Sequence, residues 1–131
     1  MSLATAALDP RIRLCAPDIP FLCDWKKYFK TGNWTEVDAW IKADRDRSLE
    51  RALRTMSYFD TLNLADRIRC PVFLGVGLQD DVCPPETIFS VYNRIASSKE
   101  FRVYPEAQHW VGASHDQERY RWIRERFDDT H

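Results

Sequence analysis

Glycine is scarce in this chain of 131 residues, and the four present, Gly32, Gly75, Gly77 and Gly112, never bracket a serine. A G-x-S-x-G turn, the sharp strand-to-helix corner that exposes a serine nucleophile, is therefore absent from these residues. Long apolar runs are lacking as well. None approaches the ~18 consecutive apolar residues of a membrane-spanning helix, so a soluble protein is expected. Neither sign of charge is in excess: 19 basic residues intermix with 20 acidic ones for a formal net charge of −1. That balance argues against a nucleic-acid partner and against a polybasic membrane anchor. Cysteines number four, Cys15, Cys23, Cys70 and Cys83, with no C-x-x-C spacing. With no signal-peptide pattern at the start, they read as reduced thiols of a cytoplasmic protein rather than as a disulfide or zinc framework.

What is present is the composition of a globular chain: 44% hydrophobic and 13% aromatic residues, enough for one domain over residues 1–131. The pattern alternates strands with helices. Residues 1–8 read as a helix stub with no N-cap before it, and Asp9-Pro10 makes a turn. Residues 12–16 form a short apolar strand stopped by Pro17 and Pro20. From 25 to 64 the periodicity is helical. Val37, Trp40 and Ile41 share one face, Leu49, Ala52, Leu53 and Met56 another, and Gly32-Asn33 separates two helices. Residues 71–76 are a near-continuous apolar run, as in a parallel strand covered on both faces. Pro85 suits the first turn of a helix whose buried side carries Ile88, Phe89, Val91, Tyr92 and Ile95. Residues 101–104 form the third strand. A last helix over 116–127 is expected to bury the stripe Tyr120, Ile123 and Phe127. Strands alternating with helices imply parallel pairing and right-handed crossovers, hence an α/β fold.

In such a sheet, chemistry gathers on the loops at the carboxyl ends of the strands. The run Gly77-Leu78-Gln79-Asp80-Asp81-Val82-Cys83-Pro84-Pro85 leaves the second strand, and Tyr104-Pro105-Glu106-Ala107-Gln108-His109 leaves the third. Asp80 and His109 thus fall on one edge, in the order acid then base that follows the serine in one class of serine hydrolases. An aspartate before a proline-led helix is commonly only a cap or an Asx-turn, and Asp81 competes for the acid role. The pair on successive strand ends is more specific than either residue alone. Cys83 has no basic neighbour and reads as a buried apolar filler rather than a nucleophile.

Ala16-Pro17-Asp18-Ile19-Pro20-Phe21-Leu22-Cys23, Ser57-Tyr58-Phe59-Asp60, the Gly77 to Thr87 loop with Cys83-Pro84-Pro85, Tyr92-Asn93, and Val103-Tyr104-Pro105 through His109 together resemble the C-terminal part of the acetyl xylan esterase and cephalosporin C deacetylase family. The resemblance covers nearly the whole chain. It implies the C-terminal part of an α/β-hydrolase fold, about three parallel strands with flanking helices, lacking the nucleophile half. Residues 4–8 would then be the tail of the helix after the serine. It also implies deacetylation of small carbohydrate esters or cephalosporin-type acetyl esters, with Asp80 and His109 as triad acid and base and no metal or organic cofactor. Trp110-Val111-Gly112 departs from the small, glycine-rich stretch usual there, so the pocket rim differs. Without nucleophile and oxyanion donors the chain alone is expected to be inactive, with a small acetyl ester as its partner once completed. A stand-alone, non-catalytic interaction module of the same descent is the alternative. A phosphoacceptor domain built on Asp80-Asp81 fails, because that acidic pair belongs near the start of such a domain. The strand at 12–16 would be an unpaired edge, with Leu14 and Phe73 uncovered, so a homo-oligomer is expected.

Overall fold

A computed structural model describes residues 1–31 and 34–128; the expected break at Gly32-Asn33 lies outside them. The helices are α1 (Ser2–Leu8), α2 (Trp25–Thr31), α3 (Thr35–Lys42), α4 (Leu49–Met56), α5 (Pro85–Arg94) and α6 (Ala113–Asp128). Two short 3₁₀ turns, Thr61–Asn63 and Ala65–Arg67, precede strand β1 (Val72–Gly77), and β2 (Lys99–Tyr104) follows α5. The strands pair in parallel from Val72 opposite Lys99 to Gly77 opposite Tyr104. Every residue of β1 is buried, which is why its sequence is apolar without alternation. Val72, Leu74 and Val76 point into a core with Leu3, Ala6, Ile88 and Val91. On the opposite face Phe73 stacks on Trp122 and His115 of α6.

The expected strand at 12–16 is not a strand. It touches β1 through two isolated parallel bridges, Cys15 with Val72 and Asp18 with Gly75. Cys15 N–H donates to the Pro71 carbonyl at 3.0 Å, Phe73 N–H donates to the Cys15 carbonyl at 2.9 Å, and Ile19 N–H reaches the Gly75 carbonyl at 3.1 Å. The register is the same at both bridges. Pro17 lies between them without an N–H, so the rung that would join them into a ladder cannot form. Phe73, expected to be uncovered, is 1% exposed because α6 lies over it.

Beyond the bridges the backbone turns left-handed three times, at Ile19 (φ 41°), Leu22 (φ 63°) and Asp24 (φ 47°). Such conformations persist in non-glycine residues only where surrounding contacts enforce them. Here the contacts come from Asp60 and Thr61. The buried Asp60 carboxylate accepts the N–H groups of Asp24 and Trp25, both at 2.9 Å, capping α2 from 35 residues away. Thr61 donates its N–H and its hydroxyl to the Leu22 carbonyl at 3.1 and 2.7 Å.

In α3, Val37 and Trp40 line one cavity together with Ala52 and Met56 of α4, although no residue of α3 is fully buried and Trp40 is half exposed. One helical expectation is corrected. In α6 the stripe Tyr120, Ile123 and Phe127 is not buried, Tyr120 being 61% and Phe127 53% exposed and Ile123 partly exposed. The inward face carries His115, Arg119, Trp122 and Arg126, each with a polar partner. Trp122 Nε1 donates to Glu100 at 2.9 Å and Arg126 to the same carboxylate oxygen at 2.5 Å. Polar groups satisfied in this way can be buried at little net cost, and the apolar period then no longer marks the inner face.

Candidate active site

Asp80 sits three residues past the end of β1. One carboxylate oxygen, Oδ1, accepts the N–H groups of Val82 and Cys83 at 2.9 and 2.8 Å, which folds the loop around the carboxylate before Pro85 opens α5. The same carboxylate faces His109, whose Nδ1 lies 3.0 Å from Oδ2 and 3.2 Å from Oδ1. The Asp80 side chain is fully buried and that of His109 half exposed. An ionised carboxylate only accepts, so the proton between them belongs to Nδ1 and the lone pair of His109 is left on Nε2. Nε2 makes no hydrogen bond among the described residues. The structure thus brings the two predicted site residues together. Asp81 is exposed, and the histidine is paired with Asp80 rather than with it.

The loop that carries His109 is stitched to the loop that carries Asp80. Leu78 N–H donates to the Tyr104 carbonyl at 3.1 Å and Gln79 N–H to the Ala107 carbonyl at 2.9 Å. A Cβ on Gly77 would lie 2.4 Å from the Gln108 oxygen and 2.7 Å from the Ala107 oxygen. Only glycine allows the two backbones to pass this closely. The loop lines an open cleft of about 690 Å³ over residues 104–112. Trp110 stands at its rim, 72% exposed.

Cys83 is buried, and burial, with the Asp80 charge second, pushes its thiol up to about 12. It therefore keeps its proton at neutral pH and is no nucleophile. Asp80, Cys83 and His109 do offer carboxylate, thiol and imidazole ligand atoms within 4.8 Å of one another. The set suits a soft divalent ion in type, but binding would require deprotonating that thiol and giving up the Asp80 to His109 hydrogen bond.

A second imidazole, which the sequence did not single out, lies under the sheet. His115 is 0% exposed. Its Nδ1 is 2.9 Å from the Tyr104 hydroxyl and its Nε2 is 2.6 Å from Asp18 Oδ1. Arg119 donates to the other Asp18 oxygen and, at 2.8 Å, to Asp116. Asp18 and Ile19 share a small cavity with His109, Trp110 and Asp116.

An acid and a histidine in that order at successive strand ends, on a parallel sheet covered on both faces, fit part of an α/β-hydrolase fold. The family model of acetyl xylan esterase (AXE1) matches residues 1–126. The chain belongs to the acetyl xylan esterase family. It is 32% identical over 126 residues to acetyl esterase Axe7A of Xylanibacter ruminicola, a match spanning 95% of this chain and 28% of that protein. Among solved structures, the acetyl xylan esterase from Paenibacillus sp. R4 superposes with a TM-score of 0.87 at 36% identity, covering 95% of this chain and 41% of that one. Acetyl xylan esterase 1 from Thermoanaerobacterium sp. JW/SL YS485 gives 0.85 at 36% identity, with 96% and 42% covered. The chain therefore spans well under half the length of these relatives. Likeness to 2,6-dihydroxy-pseudo-oxynicotine hydrolase, at 21% identity and a TM-score of 0.63, shows the shared fold alone. Among the described residues no helix is long and apolar enough to cross a membrane.

Proposed function

We propose that this chain supplies the acid and base of an acetyl-ester hydrolase, with Asp80 as acid and His109 as base. The observation that carries the reading is the 3.0 Å contact from buried Asp80 to His109 Nδ1, with Nε2 making no hydrogen bond among the described residues and His109 lining the cleft. In that role Nε2 takes the proton from a serine hydroxyl as it attacks the acetyl carbonyl, and Asp80 stabilises the imidazolium and fixes its tautomer. The imidazolium then gives the proton to the departing alcohol, leaving an acetyl-serine. Water, activated by the same nitrogen, releases acetate. The serine and the oxyanion donors lie outside these residues, which hold no G-x-S-x-G turn. The acetyl group is carried on a carbohydrate hydroxyl, by similarity to relatives named as acetyl xylan esterases, or on a cephalosporin side chain, as the family resemblance of the sequence implies.

The chain alone is expected to hydrolyse p-nitrophenyl acetate no faster than its His109→Ala variant. Combined with a nucleophile-bearing N-terminal portion of one of the relatives, it is expected to gain activity. Asp80→Asn should then reduce that activity by on the order of 10⁴, the loss seen when a triad acid is neutralised and the histidine adopts the wrong tautomer. Restored hydrolysis that is indifferent to His109→Ala would overturn the reading.

A further inference from the structure

We propose that His115 is a positioning residue for His109: buried beneath the sheet, it fastens both ends of the loop that presents His109 to Asp80. The proposal rests on the reading of Asp80 and His109 as acid and base.

The loop runs from the end of β2 to the start of α6, and His115 holds it at each end. At the β2 end, its Nδ1 meets the hydroxyl of Tyr104, the last residue of the strand. At the α6 end, its backbone N–H donates to the Gly112 carbonyl at 3.1 Å. Its remaining ring nitrogen, Nε2, reaches Asp18 in the bridged segment 97 residues earlier, at 2.6 Å. One side chain therefore ties together β2, α6 and the segment on the other side of β1.

Both ring nitrogens find partners. Nδ1 pairs with the Tyr104 hydroxyl, whose proton burial holds on by raising the phenol above its ordinary value. Nε2 pairs with Asp18 Oδ1, while Arg119 occupies Oδ2. No nitrogen of this fully buried ring is left unpaired, which is the condition for burying an imidazole without a large penalty. The ring has no room to wander. Phe73 stacks on it with centroids 5.4 Å apart and planes 16° apart. On its β1 side it presses against Gly75, where a Cβ would fall 2.7 Å from Cε1 and Nε2.

The need for such a device follows from the loop itself. His109 is half exposed and its ring is hydrogen-bonded through Nδ1 alone, while its neighbours Gln108 and Trp110 are both exposed. A histidine so placed keeps its aim at Asp80 only if the backbone beneath it is fixed.

The test uses the ¹⁵N-labelled full chain with His115→Phe, which keeps a ring on Phe73 and removes both side-chain hydrogen bonds. Two readouts are followed: amide hydrogen exchange, comparing loop residue Ala107 with Leu74 in β1, and the His109 Nδ1–H resonance held on Asp80. In His115→Phe, Ala107 should exchange about fivefold faster or more while Leu74 is unchanged, since one net hydrogen bond of ~1 kcal/mol corresponds to about that factor. The His109 Nδ1–H resonance should broaden or vanish. Tyr104→Phe, which deletes one oxygen, should shift both readouts in the same direction, and it decides the matter if His115→Phe does not fold. The proposal is overturned if a folded variant leaves Ala107 and the His109 signal unchanged. It is equally overturned if Ala107 and Leu74 accelerate by the same factor, which marks global destabilisation only. Asp80→Asn separates the underlying reading: a His109 signal indifferent to that change removes the acid and base assignment, while the Ala107 exchange still judges His115.

Discussion

Replacing Gly75 by alanine tests the packing beneath the sheet with a single methyl group. Gly75 does not have the positive φ that would make any side chain strained; among the described glycines only Gly112 does. On backbone grounds alone, alanine should gain roughly 0.5–1 kcal/mol by restricting the unfolded chain. The steric ledger runs the other way. The new Cβ would sit 2.7 Å from His115 Cε1 and Nε2 and 3.2 Å from Nδ1. The ring cannot slide back, because Phe73 stacks against it and Trp122 against Phe73, with centroids 5.5 Å apart. Overfilling a closed site costs about 1–3 kcal/mol, and displacing the ring breaks two hydrogen bonds worth ~1 kcal/mol each. A net loss of about 2–4 kcal/mol is expected, measured by urea unfolding followed through tryptophan fluorescence with the slope unchanged. The same substitution in a His115→Ala background meets an empty space and should cost less than ~1 kcal/mol. Equal costs in the two backgrounds would refute the reasoning, since contacting residues must couple.

Two further outcomes follow from buried polar and thiol groups. Asp60→Ala removes an acceptor shared by the N–H groups of Asp24, Trp25 and Leu62 and should cost at least ~3 kcal/mol, because buried donors are left unpaired; a loss under ~1 kcal/mol in thermal or urea unfolding would contradict it. Cys15, Cys23 and Cys83 are pushed up to about 12, mainly by burial, so below pH ~9 they are protonated folded or unfolded and do not affect stability. Above pH 9 the unfolded chain loses those protons first, and stability should fall by on the order of 1 kcal/mol per thiol per pH unit until about pH 12. Flat stability from pH 8 to 10.5 would count against the burial, as would rapid labelling of these thiols by Ellman's reagent in the native state at pH 8.

The sequence by itself determined the parts whose signals are local. An apolar run with no alternation marked β1, and Pro85 marked the start of α5. An aspartate and a histidine at successive strand ends marked the edge on which Asp80 and His109 meet, because a parallel topology places all such ends on one side. The tertiary structure alone decided the rest. Residues 12–16 have a strand's composition, yet a ladder is a property of two chains of N–H groups, and Pro17 removes one of them just where β1 would receive it. The apolar spacing of Tyr120, Ile123 and Phe127 pointed to an inner face of α6, but periodicity counts hydrophobicity and cannot see partners. His115 is buried because Asp18, 97 residues away, and Tyr104 satisfy both its nitrogens, and only the fold brings those three together.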